Sequence, residues 1–164
     1  MTLSHQSLLA VTASALLAAF VSCGGWTVRT VPAATEKLST ARERWQARAA
    51  EMSGYDLSLN VSCYCPHSGR YLVKVQFGLP NEVVDLERPR QISEESIAII
   101  RGYDVGGLFR TVQGAIEHHY DRVDVIYDQS YGFPIAIQLD GNATMYDDEL
   151  QILATIATHG KESK

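Results

Sequence analysis

From Tyr55 to Cys63 the chain reads Tyr-Asp-Leu-Ser-Leu-Asn-Val-Ser-Cys, apolar at every odd position and polar at every even one. Successive side chains of a strand point to opposite faces, so this segment is a strand with one dry face and one wet face. Sheets of such strands are antiparallel, and their apolar face must be covered. The pattern resumes after the turn signal Pro66-His67-Ser68-Gly69, where Tyr71, Val73, Val75 and Phe77 alternate with Leu72, Lys74 and Gln76. The two runs predict a hairpin. Gly78-Leu79-Pro80-Asn81 turns the chain again, and residues 82–86 read as a short third strand.

Two amphipathic stretches supply the cover. Over residues 36–52, Leu38, Ala41, Trp45, Ala49 and Met52 recur at three- and four-residue steps, with Thr35 as the N-cap and Gly54 as the stop. Over residues 105–120, Val105, Leu108, Phe109, Val112, Ala115, Ile116 and His119 make a second stripe, with Asp104 as the N-cap. Between them, residues 87–103 carry little pattern, and residues 92–100 suggest one or two helical turns. Three more strands follow. Val123, Val125 and Tyr127 point inward from residues 122–128, Ile135, Ile137 and Leu139 from residues 134–140, and the last strand spans residues 150–158. The predicted fold is α+β, helix-βββ-helix-βββ: an antiparallel sheet with two helices packed on one face. Asp56, Ser58, Asn60, Lys74, Gln76, Asp124 and Gln138 would line the other face.

The 164 residues suffice for one such domain and a leader. The first 28 contain no Asp, Glu, Lys or Arg, and their apolar core runs from Leu8 to Val21. This is the length of a signal-peptide core and short for a membrane span. It ends in Phe20-Val21-Ser22-Cys23-Gly24-Gly25. An apolar run stopping at a small residue and a Cys resembles a bacterial lipobox, in which the Cys takes a diacylglycerol and becomes the new N-terminus. Two features depart from that pattern: Phe20 stands where Leu is commonest, and His5 is the one basic side chain ahead of the core. A plain cleaved signal and an uncleaved anchor reaching Val28 are the alternatives. The favoured reading is a signal peptide over 1–22, a lipidated Cys23 with a Gly- and Pro-containing tether over 23–35, and a single domain over 36–160. The protein would then be exported and anchored in the bacterial cell envelope.

Several motifs occur in order along that domain. They are the tryptophan of the first helix, Cys63-Tyr64-Cys65-Pro66, Val105-Gly106-Gly107-Leu108-Phe109 and Val123-Asp124-Val125-Ile126-Tyr127-Asp128. Tyr131-Gly132-Phe133-Pro134, Ile137-Gln138-Leu139-Asp140 and Asp147-Asp148-Glu149 complete the series. Over residues 38–158 this series resembles domain-of-unknown-function family 6174, small bacterial proteins that are exported or lipid-anchored. Phe133 stands where the family usually has Tyr. The resemblance implies the domain and export, and it supplies no catalytic residues.

Chemistry is therefore sought in the residues themselves. Alternate strand positions share a face with Cα atoms about 6.5 Å apart, near the long limit for a disulfide. Pro66 and the turn can bend the chain enough to join Cys63 and Cys65. Export favours that bond, and the small ring it closes would raise its reduction potential. The alternatives are buried free thiols, thiol redox chemistry, and a metal held by Cys63, Cys65 and His67, where thiolates and imidazole suit copper or zinc. His67 also reads simply as a solvated turn residue.

Asp140-Gly141-Asn142 and Asp147-Asp148-Glu149 form an acidic hairpin. Counting from Asp140, Met145 and Gln151 occupy the places where an EF-hand needs Gly and Glu, so the acids read as turn carboxylates that cap backbone amides, with an irregular calcium site as the alternative. His118-His119 suits a helix C-terminus. Neither a nucleophile elbow nor a Gly-rich phosphate loop is present. The net charge of -5, without a Lys or Arg run, argues against nucleic acid. The expectation is a non-enzymatic, membrane-tethered module without a cofactor that binds a protein or small molecule. A metal- or thiol-active envelope protein using Cys63, Cys65 and His67 is the alternative.

Overall fold

The computed structural model describes residues 31–88 and 92–160, with side chains over 37–88 and 92–159. The elements run α1 (Val31–Ala49), β1 (Met52–Cys63), β2 (Gly69–Gln76), β3 (Leu79–Asp85), α2 (Glu94–Arg101), α3 (Val105–Glu117), β4 (Arg122–Tyr127), β5 (Pro134–Asp140) and β6 (Glu149–Gly160). The protein is α+β; among the described residues there are three helices and one six-stranded antiparallel sheet ordered β3-β2-β1-β6-β5-β4. The first and last strands are thus neighbours at the centre of the sheet, and each joins one three-stranded meander to the other.

The register shows why the alternation matters. Leu57 stands opposite Val73 and Ile156, Leu59 opposite Tyr71 and Ala154, and Val61 opposite Ile152. Ile152 in turn faces Ile137. All lie on one side of the sheet and join the buried residues of the three helices in a single apolar cluster. Trp45 and Phe109 both belong to it. Trp45 meets Tyr55 and Phe133 edge-on at 5.3 and 6.1 Å, and Phe109 stacks on Tyr127 at 6.2 Å. Burial pushes the Tyr55 and Tyr127 hydroxyls up to about 12.

Several local expectations need correction. The helix α2 is a full third helix, so the order is helix-βββ-helix-helix-βββ. The Ser93 hydroxyl caps it by accepting from Ser96 N at 3.1 Å, but only Ser96 and Ile100 are buried, too little to leave a clear stripe. The first helix starts before Thr35, with Pro32 in its first turn, where a missing N–H costs nothing. It ends at Ala49, and Met52 opens β1. Gly54 is a strand residue rather than a helix stop: a Cβ there would collide with the Val75 carbonyl across the hairpin.

Phe77, expected inward, is 86% exposed. Phe77 and Gly78, with φ of 50° and 76°, form a two-residue turn, so β3 starts at Leu79 instead of 82. His119, expected in the apolar stripe of α3, is exposed with φ 56°. The helix closes through it: Tyr120 N donates to Ala115 O and His119 N to Ile116 O, the paired bonds of a Schellman ending.

Asp104 caps α3 as expected, its Oδ1 accepting from Gly107 N at 2.6 Å. Asp104→Ala should cost about 0.5–2 kcal/mol, while Asp104→Asn retains most of the capping. Urea denaturation of both variants checks this, and equal losses would show that charge rather than capping matters. Among the described residues, no helix is long and apolar enough to cross a membrane. The expected signal peptide, Cys23 and most of the tether lie outside the described residues.

Candidate functional site

Three parts of the chain meet at the end of the sheet where β1 leaves. Cys63 is the last residue of β1 and sits opposite Leu150, the second residue of β6, on the apolar side. Cys65 lies beyond it in a bend, not on the strand. The bend brings the two Cα atoms to 5.2 Å and the sulfurs to bonding distance. This is shorter than the extended-strand spacing, and the turn rather than the pleat is what joins them.

The loop after Cys65 is tied at both ends. Ser68 N donates to Cys65 O at 3.2 Å, and the Ser68 hydroxyl donates to Val61 O at 3.1 Å. The Tyr71 hydroxyl donates to His67 O at 3.1 Å. These bonds carry His67 back over the cysteines, so that its ring nitrogen and the two sulfurs all lie within 4.8 Å of one another. The His67 ring sits 6.4 Å from that of Tyr103, and burial lowers its pKa, opposed by the charge of Glu95.

A cleft of about 480 Å³ opens beside this loop. Cys63, Tyr64, Cys65 and His67 form one wall. Arg110, Thr111, Gly114 and His118 of α3 form the second, and Asp147, Asp148 and Glu149 the third, with Leu139 and Leu150 below. The helix wall is open at Gly114, where a Cβ would meet nothing within 4 Å. Arg110 pairs with the N-cap Asp104 at 3.5 Å. His118 is held by its Nδ1 contact with Gly114 O at 2.8 Å. Asp148 Oδ1 is shielded from solvent and has no hydrogen-bond partner among the described residues.

The structure therefore brings Cys63, Cys65, His67, His118 and Asp147 to Glu149 to one place, and it leaves His119 and Asn142 away from it. Asn142 Oδ1 accepts from Thr144 N, and Asp121 rather than a hairpin acid caps Ala143 N. Among the described residues, the one group of three candidate metal ligands is Cys63, Cys65 and His67. Sequence reasoning missed Tyr103, Arg110 and Tyr120. Arg110 alone left a signal, as a cation on the polar side of a helix close behind an acidic N-cap.

Fold and site together define a small α+β domain whose antiparallel sheet ends in a cleft rimmed by the Cys63–Cys65 pair. Residues 37–157 match the model of a family of unknown function, DUF6174. The chain belongs to that family. No curated protein and no solved structure matches the chain.

Proposed function

We propose that the protein is a membrane-tethered lipoprotein of the bacterial cell envelope, a non-enzymatic domain that binds a small molecule or a protein segment in the cleft beside Cys63 and Cys65. The observation carrying the binding reading is the cleft itself. It combines an apolar floor with a few convergent polar groups, the composition of ligand sites in general. Arg110 and His118 bring donors to its walls, and Asp147 and Glu149 bring carboxylates. The apolar leader ending at Cys23 supports the tether, and the acidic net charge argues against a nucleic-acid partner. In the oxidising envelope Cys63 and Cys65 are expected to form a disulfide that shapes the loop.

Intact-mass analysis of membrane-extracted, alkylated protein tests the anchoring part. The expected mass is a chain starting at a diacylated Cys23 with no alkylated thiols. A chain beginning at Met1, or an unlipidated one, sinks the tether, and two alkylated thiols sink the disulfide. Arg110→Ala should weaken any ligand recovered with the native protein, as read by native mass spectrometry; undiminished occupancy rules out the cleft.

The closeness of three soft ligand atoms favours a second reading. Here Cys63, Cys65 and His67 hold a metal or exchange thiols in the envelope.

A further inference from the structure

We infer that the Cys63-Cys65-His67 loop is a redox-gated site for a monovalent soft metal ion, copper(I): closed as the disulfide, competent as the dithiol. The inference rests on the second reading above and names its metal and its gate.

Ligand number is the first argument. Three ligand atoms converge, and among the described residues no fourth Cys, His, Asp or Glu joins them. Structural zinc takes four protein ligands in a tetrahedron. Copper(I) has a filled d shell, prefers thiolate, and is content with two or three ligands. Distance is the second. Bonds of about 2.0–2.3 Å place the ligand atoms of a three-coordinate ion about 3.5–4 Å apart. The present atoms all lie within 4.8 Å of one another, on Cys63 and Cys65 Cα atoms 5.2 Å apart, so they stand close to that spacing once the sulfur–sulfur bond opens.

The backbone is already set. Cys63 is fixed by its pairing with Leu150, and the loop is fixed by the Ser68 and Tyr71 bonds, so the ligands are held before the metal arrives. Access is the last argument. All three residues are half-buried on the wall of the open cleft, so a metal carrier or a thiol reductant can reach them from one side.

A dithiol reductant gives two electrons and two protons to the Cys63–Cys65 bond. That bond breaks, two S–H groups form, and the reductant leaves as its own disulfide. Copper(I) then displaces the two protons to solvent and gains two Cu–S bonds and one bond to a His67 ring nitrogen, with no change in its oxidation state. Reoxidation of the sulfurs by an envelope disulfide oxidant would expel it.

The test uses membrane-extracted full-length protein, reduced anaerobically and titrated with copper(I) against a chromogenic copper(I) chelator. One equivalent should bind, with X-ray absorption showing two sulfurs and one nitrogen. The oxidised protein should bind at least 100-fold more weakly. The variant Cys63→Ser/Cys65→Ser, which keeps Cys23, should lose the site, and His67→Ala should weaken it at least 10-fold with the fold retained by circular dichroism. If the reduced protein binds neither copper(I) nor zinc better than the double Ser variant, the metal reading fails altogether. Zinc binding as tight as copper(I) overturns the copper assignment and leaves the metal reading standing. Equal binding by oxidised and reduced protein overturns the gate. Unchanged affinity in His67→Ala removes the third ligand.

Discussion

Gly132→Ala is expected to lower the stability of the domain by about 2–5 kcal/mol, although it adds a single methyl group. Gly132 has φ +85°, in the region that only glycine enters freely. It also lies in the turn between β4 and β5 that presses on α1. A Cβ there would collide with the Ala41 carbonyl and stand 2.9 Å from Arg44 Cβ and 3.1 Å from Trp45 N. The helix cannot step back cheaply, because Trp45 one position on is wedged against Tyr55 and Phe133. The turn is equally committed: Asp128 Oδ1 accepts from Ser130 N and Tyr131 N, and Gly132 N donates to Asp128 O. Backbone strain and overpacking therefore act together. Urea denaturation gives the answer, and a loss under about 0.5 kcal/mol, the usual range for a surface substitution, would mean that the turn does not rest on α1.

Trp45→Ala should cost about 3–5 kcal/mol, the usual range for truncating a buried aromatic. A domain of this size has roughly 5–15 kcal/mol in total, so the thermal midpoint should fall by roughly 10–20 °C. The ring is 8% exposed and makes two edge-to-face contacts, one to the sheet through Tyr55 and one to the β4–β5 turn through Phe133. With Leu38 and Ala41 it ties α1 to the rest of the core. Trp45→Phe should keep most of the buried area and recover more than half of the loss. An unchanged midpoint in Trp45→Ala would overturn the packing of α1. Because Gly132 abuts Trp45 N, the double substitution Gly132→Ala/Trp45→Ala should cost less than the sum of the two.

These two sites also show how legible the molecule was. The strict alternation of Tyr55 to Cys63 predicted a half-buried strand, and residue after residue it faces the side the pattern assigned. Leu38, Ala41 and Trp45 lie in the core as their spacing required. The Tyr131-Gly132-Phe133-Pro134 motif was visible as a turn, but its reason was not: the glycine is needed for a contact with a helix some ninety residues earlier in the chain. Phe77 and His119 failed for one physical cause. Each continues an apolar periodicity at the point where the backbone turns left-handed, and periodicity carries no information about φ.

The site divides in the same way. Spacing alone put Cys63 and Cys65 on one face and His67 nearby, because two- and four-residue separations bound the distance whatever the fold. The bend that shortens the Cα separation to 5.2 Å depends on the Ser68 bonds to Cys65 and Val61. The cleft was invisible, since its walls come from positions about 30 to 90 residues apart.

Local periodicity and turn chemistry thus determined the strands, the two longer helices, the polar sheet face and the cysteine pair, because each is decided by neighbours in the chain. The tertiary structure alone decided that β6 returns to the centre beside β1, that α2 forms on little more than Ile100, and that α3 and the 147–149 segment wall a cleft beside the cysteine pair. Those depend on pairings between distant segments, whose gain comes from burying shared apolar surface, and no single stretch of sequence records which surface it will share.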